Sequence, residues 1–228
     1  MYQPFESLSF AGRCVSVIGS GGKTTFLRWL SARLDGTVIL TTSTKILPFG
    51  DIPLVTAAPD VGPAGRDQLL RKIRSALSLS RIVCVGQPLP SGKLSAPALP
   101  FEDLLSLADT VLVEADGAAG RPLKAHRPWE PVIPACSDRT VCLVGASGLG
   151  KPAAEACHCP ELFCELSGTS PDEPVSPEAV ARVINREALA DVCLVNQADT
   201  LPDPEPAVRL CGLVRIPAGI CSLMPAGR

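Results

Sequence analysis

The sequence predicts an α/β fold in which a mostly parallel β-sheet lies between two layers of helices. Short runs rich in β-branched residues alternate along the chain with segments of helical apolar spacing. The composition is 46% hydrophobic and the mean hydropathy is +0.26, which favours a well-buried sheet. Aromatic residues make up only 4% of the chain, which disfavours an all-β sandwich.

The first predicted strand covers residues 15–19 and runs directly into a glycine-rich turn. The turn reads Gly19-Ser20-Gly21-Gly22-Lys23-Thr24-Thr25, and the leucines behind it, Leu27, Leu30 and Leu34, have the apolar spacing of a helix. Glycines allow positive φ and a close approach of the backbone to a ligand. The pattern therefore predicts a strand, a phosphate-binding loop and a helix, which is the arrangement of P-loop NTPases.

The phosphate loop is shorter than the strict Walker A pattern, which would require a glycine in place of Val17. The shorter form, Gly-x-x-Gly-Lys-Thr, resembles the loop of ATP-dependent Mur-type ligases. Lys23 would neutralise β- and γ-phosphate oxygens, and Thr24 would offer its hydroxyl to Mg²⁺. The alternative is a glycine turn with an incidental exposed lysine. The predicted ligands are ATP or GTP with Mg²⁺, and the predicted binding residues are Gly19, Ser20, Gly21, Gly22, Lys23, Thr24 and Thr25.

The second predicted strand, residues 37–42, also ends in polar residues. Ligands gather beyond the carboxyl ends of strands in open parallel sheets, so Thr42, Thr44 and Lys45 are predicted to meet a nucleotide phosphate or the metal. The alternative is an ordinary polar turn. Residues 46–65 contain four prolines and are predicted to be irregular, and residues 66–80 are predicted to form a helix.

A third strand is predicted at residues 81–86, a short helix at 101–107 and a fourth strand from residue 110. The fourth strand ends in Glu114-Ala115-Asp116-Gly117. A carboxylate at this position of a P-loop protein can hold Mg²⁺ or orient a nucleophile, so Glu114 and Asp116 are predicted as metal ligands and catalytic residues. The alternative is an acidic turn after an ordinary strand.

The following segment, residues 121–134, contains four prolines and is predicted to be extended. Its cations, Arg121, Lys124, His126 and Arg127, would lie near the carboxylates. Lys124 and His126 are predicted as catalytic residues that stabilise a transferred phosphoryl group or recognise a second substrate. A structural role is the alternative for His126.

The last third of the chain continues the alternation, with strands predicted at residues 141–145, 192–195 and 211–216. A loop between the first two carries Cys157, His158, Cys159 and Cys164, which could bind zinc or remain reduced thiols. A helix is predicted from an N-cap at Ser176 to about residue 189. Asn196-Gln197-Ala198-Asp199 resembles the Asn-Lys-x-Asp base-reading motif of GTPases, so Asn196 and Asp199 are candidate guanine contacts, with a turn as the alternative.

Residues 1–228 are predicted to form a single domain that resides in the cytoplasm. The net charge of −2 gives no electrostatic reason to expect nucleic-acid binding. The first residues lack the basic and apolar regions of a secretory leader, and no stretch reaches the roughly 18 apolar residues of a membrane span, so no membrane association is expected. Several of the ten cysteines lie in apolar runs, which favours reduced thiols over disulfides.

Several motifs together resemble the YqeC-type family of accessory proteins of selenium-dependent molybdenum hydroxylases. They are the glycine turn at 19–25, Thr-Thr-Ser-Thr-Lys at 41–45, Glu-Ala-Asp-Gly at 114–117 and Pro-Leu-Lys-Ala-His at 122–126. Segments at 130–134, 150–152, 158–161 and 196–199 extend the match. Where the family pattern has His-Arg-Pro-Glu, this chain has His158-Cys159-Pro160-Glu161. The resemblance implies a role in selenium cofactor biosynthesis or hydroxylase maturation, with the hydroxylase or its cofactor as partner.

The sequence therefore predicts a Mg²⁺-dependent nucleoside triphosphatase in that role. One alternative is a Mur-like ligase or kinase that activates a small acid or a selenium species through a phosphate intermediate. Another is a non-enzymatic chaperone gated by nucleotide binding.

Overall fold

The computed structural model describes residues 5–56 and 62–223, and a long β-sheet runs through them. The strands are β1 (Cys14–Gly19), β2 (Val38–Thr42), β3 (Lys45–Ile46), β4 (Leu54–Thr56), β5 (Ile82–Pro88), β6 (Leu94–Ser95), β7 (Thr110–Glu114), β8 (Leu123–Lys124), β9 (Arg139–Gly145), β10 (Cys157–His158), β11 (Val192–Asn196) and β12 (Ala218–Ile220). The helices are α1 (Lys23–Arg33), α2 (Pro63–Leu79), α3 (Phe101–Leu105), α4 (Ala153–Ala156), α5 (Pro160–Ser167), α6 (Pro177–Glu187) and α7 (Glu205–Leu213).

The sheet has the strand order β12-β11-β9-β1-β7-β2-β5-β6-β3, and β4 also pairs with β5. All of these pairings are parallel except those of β6 with β5 and with β3. Strand β1 is central, with β7 on one side and β9 on the other. Its carboxyl end therefore lies where the strand order reverses, which is the usual place for a ligand in open α/β sheets.

Helices cover both faces of the sheet, because alternate residues of each strand pack on opposite sides. Val15 and Val17 of β1 belong to the cluster that contains Phe26 and Leu27 of α1. Residues of the other face pack in two further clusters, one with α2 and α3 and one with α5, α6 and α7. This confirms the predicted α/β fold with a mostly parallel sheet between helices.

Most of the predicted elements are confirmed with small shifts of their ends. The strands predicted at 15–19, 37–42, 81–86, 110–114, 141–145 and 192–195 correspond to β1, β2, β5, β7, β9 and β11. The predicted cap of α6 is also present, since Ser176 Oγ accepts a hydrogen bond from Ala179 N at 3.2 Å and Pro177 is the first helical residue.

The strand predicted at residues 211–216 is wrong. The chain there completes α7, in which Ala207, Leu210 and Cys211 are buried at helical spacing, and the last strand is β12. Val214 and Ile216 alternate as in a strand, but the period of 3.6 residues before them determines the structure. Residues 224–228 lie outside the described residues.

The loop predicted around Cys157 and Cys164 is wrong as well, because β10 and α5 occupy it. Helix α5 begins with Pro160 and ends at Ser167, and its C-cap Gly168 has φ of 72°. Proline at the first position and glycine after the last are typical helix boundaries, so the signal was present in the sequence.

The irregular connection predicted at residues 46–65 instead contains short strands. Strand β4 pairs in parallel with β5, and Cys84 N donates a hydrogen bond to Pro53 O at 2.8 Å. Prolines exclude a helix but are compatible with the start of a strand. Helix α2 begins at Pro63, earlier than predicted, and residues 57–61 lie outside the described residues.

None of the helices in residues 5–56 and 62–223 has the length and apolar composition needed to cross a bilayer.

Candidate functional site

The turn between β1 and α1 has a backbone that only glycines adopt without strain. Gly19, Gly21 and Gly22 have φ of 85°, 88° and 113°. A Cβ atom on Gly19 would lie 2.2 Å from Leu143 O, and one on Gly21 would lie 2.3 Å from the backbone of Gly145. The glycine loop, defined here as residues 19–22, is therefore packed tightly against the carboxyl end of β9.

The start of α1 is open to an anion. Its N-cap is Gly22, so no side chain accepts a hydrogen bond from the first-turn N–H groups. Ser20 Oγ is buried and has no hydrogen-bond partner among the described residues. Unpaired donors at the positive end of a helix form a ready site for a phosphate or similar anion.

Lys23 and Thr24, the first residues of α1, face the carboxylate at the end of the neighbouring strand β7. Thr24 Oγ1 donates a hydrogen bond to Glu114 Oε2 at 3.3 Å, and Lys23 Nζ lies 4.0 Å from Glu114 Oε1. Lys23 Nζ also donates to Gly19 O at 2.7 Å. The structure thus brings together the lysine, the hydroxyl and one of the predicted acidic residues.

Asp116 lies deeper and is surrounded by donors. Its Oδ2 accepts hydrogen bonds from Gly19 N and from His126 Nε2, each at 2.8 Å, and lies 3.3 Å from Lys124 Nζ. Its Oδ1 is 3.0 Å from Lys23 Nζ, an ion contact without hydrogen-bond alignment. Burial alone would raise the pKa of Asp116, but the His126 hydrogen bond and these cations lower it to about 2. Asp116 is therefore ionised, and both of its oxygens face protein groups.

His126 and Lys124 are buried partners of this carboxylate and do not face the solvent. His126 Nδ1 lies 2.8 Å from Glu187 Oε2, so the ring bridges two carboxylates. Burial lowers the pKa of His126, but its hydrogen bonds to Asp116 and Glu187 outweigh that effect and raise it. Lys124 Nζ also contacts Gly117 O and the Glu130 carboxylate.

Glu114 has the opposite electrostatic balance from Asp116. Burial is the largest influence on the pKa of Glu114. Together with the Asp116 charge it raises that pKa to about 7, although Lys23 and Thr24 oppose the shift. A carboxylate with a pKa near neutrality can exchange a proton or accept a cation at low cost. Glu114 is the acidic residue of the pair that can respond to a ligand.

A cavity of about 570 Å³ opens above the glycine loop. Glu114 lines it together with the end of the glycine loop and the start of α1. Three cations from separate segments, Lys45, Lys93 and Arg121, also line it. The remaining lining residues include Ser20, Gly21, Gly22, Lys23, Thr24, Thr25, Gly117, Pro122, Ser147 and Gln197. Cations from several segments therefore line the cavity together with the start of α1, which suits a polyanion.

Thr42 and Thr44, which were predicted to meet a phosphate or the metal, do not line the cavity. Thr42 Oγ1 donates to Glu114 O at 2.8 Å and accepts from Thr44 N at 3.0 Å. The Thr42 hydroxyl holds the end of β2 against β7, and neither Thr42 nor Thr44 lines the cavity. Of the polar cluster after β2, Lys45 is the predicted residue that does.

The residues of the Asn196–Asp199 segment also have different roles, and only some of them lie at the cavity. Asn196 is buried, and its Nδ2 donates to Gly21 O at 2.8 Å while its Oδ1 accepts from Leu223 N at 2.8 Å. It therefore fastens the glycine loop to the end of β11. Asp199 is exposed and does not line the cavity, whereas Gln197 does, accepting from Ser147 Oγ at 2.7 Å.

Sequence reasoning missed Lys93, Ser147, Gln197 and Glu187. Lys93 lies between β5 and β6 in a segment without a motif, and only the pairing of β6 with β3 brings it to the cavity. Glu187 ends α6, some sixty residues from its partner His126 in the sequence. The sequence shows that residue 93 is a lysine, but it does not show that this lysine lies at the cavity.

The cysteine-rich segment is not part of the cavity. Cys157 is buried in the core beside α5 and α6, and Cys164 packs against the same cluster. Burial, and then the neighbouring Cys164, raise the pKa of Cys157 to about 12. Burial and the Lys124 cation lower the pKa of His158. The four residues predicted as possible zinc ligands are therefore divided between the core and the opposite side of β10.

Similarity to known proteins covers most of the residues that form this site. The family model described as "YqeC protein" matches residues 15–161, which contain the glycine loop, Glu114, Asp116 and His126. The chain is 31% identical over 166 residues to "Uncharacterized protein YqeC" of Escherichia coli strain K12. The match covers 69% of this chain and 62% of that relative, so the chain spans less than two thirds of the relative's length. No solved structure is significantly similar to the chain.

Proposed function

This chain belongs to the YqeC family, and we propose that it is a Mg²⁺-dependent nucleoside triphosphatase that binds ATP or GTP at the glycine loop. The observation that carries the proposal is the convergence of Lys23, Thr24 and Glu114 at the open start of α1. Each of these groups has a use in binding a metal-associated triphosphate, and all three line one cavity.

The chemistry of the cavity supports a triphosphate ligand. The first-turn N–H groups of α1 and the unpaired hydroxyl of Ser20 would donate to phosphate oxygens. Lys23, Lys45, Lys93 and Arg121 supply positive charge to the lining of the cavity. A volume of about 570 Å³ falls within the roughly 300–1,000 Å³ of ligand pockets.

Thr24 and Glu114 fit Mg²⁺, which prefers hard oxygen ligands. Mg²⁺, when bound, would neutralise charge on the β- and γ-phosphates. Asp116 has no oxygen directed at the cavity, so we assign it to positioning: it holds Lys23 and the Gly19 amide in place. Lys124 and His126 act through Asp116 in the same way, because both are buried against it.

A second candidate is the activation of a small acid as a phosphate intermediate. The three further cations that line the cavity, Lys45, Lys93 and Arg121, favour it, since they could hold a second anion beside the triphosphate. In that case hydrolysis would be slow alone and strongly stimulated by the acid.

We place this activity in the context that the family resemblance implies, which is selenium cofactor biosynthesis or maturation of a selenium-dependent molybdenum hydroxylase. Loss of hydroxylase activity on deletion of the gene, with recovery by the wild-type chain but not by a Lys23→Ala chain, would support this context.

Phosphate release from MgATP and MgGTP tests the proposed reaction. Removing one electrostatic contact to a developing charge typically lowers the rate about 10²- to 10³-fold, so Lys23→Ala and Glu114→Gln are expected to lose that much. Lys72→Ala, which removes an exposed lysine of α2 outside the cavity, is the matched control and should retain the wild-type rate. Tight nucleotide binding without turnover would instead support a nucleotide-gated chaperone.

A further inference from the structure

We propose that Glu130, His158 and Cys159 form a binding site for a divalent transition-metal ion of the zinc type. The site is separate from the glycine loop and does not depend on the proposed triphosphatase activity. One ligand atom from each residue lies within 4.8 Å of the other two. In a tetrahedral zinc site, bonds of about 2.0–2.3 Å place the ligand atoms roughly 3.3–3.8 Å apart, so closure requires a movement of only about 1 Å.

The fold creates this cluster from two distant segments. Strand β10 pairs in parallel with β8, and His158 lies opposite Lys124 in that register. Successive residues of a strand point to opposite sides, so Cys157 enters the core while His158 lies on the other side. The segment that follows β8 then brings Glu130 beside His158 and Cys159.

Cys159 has an unusual backbone at this point. It is the N-cap of α5 and lies in the left-handed region, with φ of 59° and ψ of 61°. A residue with a Cβ atom in that region costs on the order of 1–3 kcal/mol and is found preferentially at functional sites. Here the backbone directs a buried thiol into the cluster instead of the core around Cys157.

The ligand atoms are available. Within the described part of the chain, neither ring nitrogen of His158 and no atom of the Cys159 thiol takes part in a hydrogen bond. Glu130 Oε2 pairs with Lys124, and its other oxygen has no partner among the same residues. Lys124 would therefore orient the carboxylate as an outer partner of the metal site.

The donor set indicates which ion would bind. One thiolate, one imidazole and one carboxylate suit Zn²⁺ or Co²⁺ and are poorly matched to Mg²⁺ or Ca²⁺, which prefer oxygen ligands alone. Three protein ligands leave the fourth tetrahedral position to water or to an exogenous ligand.

Co²⁺ titration of the reduced, metal-free full chain tests the proposal. We expect one equivalent of Co²⁺ to produce a thiolate-to-metal charge-transfer band that Zn²⁺ then abolishes. Cys159→Ser should remove the band. His158→Gln and Glu130→Gln should weaken binding by at least the roughly 10- to 100-fold seen when an outer partner of a metal site is lost.

Cys164→Ser is the matched control, because Cys164 is close in sequence but packs against the core. It should bind Co²⁺ as the wild type does. Unchanged circular dichroism and an unchanged melting temperature of the metal-free protein would show that each variant remains folded. The absence of a band in the wild type, a band that persists in Cys159→Ser, or a band lost in Cys164→Ser would overturn the proposal.

Discussion

At the scale of single residues, the acidic pair after β7 shows how environment separates two carboxylates of similar chemistry. Burial raises the pKa of both Glu114 and Asp116. Asp116 nevertheless remains ionised, because the hydrogen bond from His126 and the cations of Lys23 and Lys124 outweigh burial. Glu114 has fewer partners, so its pKa rises to about 7. Asp116 consequently organises the site, and Glu114 is the residue left to meet the ligand.

The bridge formed by His126 predicts a pH-dependent stability. His126→Gln is expected to lower the free energy of unfolding by about 3–5 kcal/mol, because Asp116 and Glu187 lose a buried cation between them. The folded-state pKa of His126 is raised above 6.5, so its contribution is complete below about pH 6.5 and is lost as the pH rises through the folded value.

Urea unfolding of the wild type and of His126→Gln over a pH series measures this contribution. The difference between the two proteins should be largest near pH 6 and should shrink as the pH rises above about 6.5 and through the folded-state pKa of His126. A difference that grows with pH would show that the folded protein prefers the neutral ring.

At the scale of elements, the glycine loop depends on its positive φ angles. Gly21→Ala is expected to destabilise the protein by about 1–3 kcal/mol, because the added Cβ would meet the backbone of Gly145 at 2.3 Å in a left-handed conformation. Gly212→Ala is the matched control. Gly212 lies in α7 with open space around it, so alanine should stabilise the protein by about 0.5–1 kcal/mol. Thermal unfolding followed by calorimetry distinguishes the two, and equal effects would contradict this description of the loop.

The contact between β11 and the glycine loop allows a structural role of Asn196 to be distinguished from recognition of the guanine base. Asn196 holds Gly21 O, so Asn196→Ala should weaken MgATP and MgGTP binding by the same factor. Removing a hydrogen bond between neutral groups costs about 0.5–1.5 kcal/mol, or roughly 2- to 13-fold in affinity. Calorimetric titration with both nucleotides measures this, and Asp199→Ala serves as the comparison. A selective loss of MgGTP binding in either variant would support the guanine-reading interpretation.

Local sequence signals were sufficient to predict most strands and helices, but not to predict the contacts of the polar residues between them. The β-branched runs at β1, β2, β7, β9 and β11 and the cap at Ser176 are local features, and the structure confirms them. The strand expected at 211–216 failed because apolar alternation over a few residues is ambiguous after a helix. Thr42 shows a different limit. Its position at the same edge of the sheet as Glu114 followed from a parallel sheet, but the use of its hydroxyl on Glu114 O depends on the pairing and register of β2 and β7.

At the scale of the whole molecule, strand order determines which distant residues share the cavity. Strand β1 lies between β7 and β9, so the ends of these strands place Glu114, the glycine loop and Gly145 at one edge of the sheet. The proximity of the loop and the acidic strand end was predictable, because both follow parallel strands. The arrival of Lys93 from the β5–β6 connection and of Gln197 from beyond β11 was not, because a single sequence does not specify the order of its strands.

The most direct test of the central claim, that the glycine loop binds a metal-associated nucleoside triphosphate, is the melting temperature of the full chain titrated with MgATP and with MgGTP. Ligand at about 100 times its Kd stabilises a protein by about 2.7 kcal/mol, so at least one nucleotide should raise the wild-type Tm in a concentration-dependent way. Lys23→Ala should lose most of that rise, and Lys72→Ala should keep it. An equal rise in Lys23→Ala and the wild type, or no rise with either nucleotide, would contradict the claim.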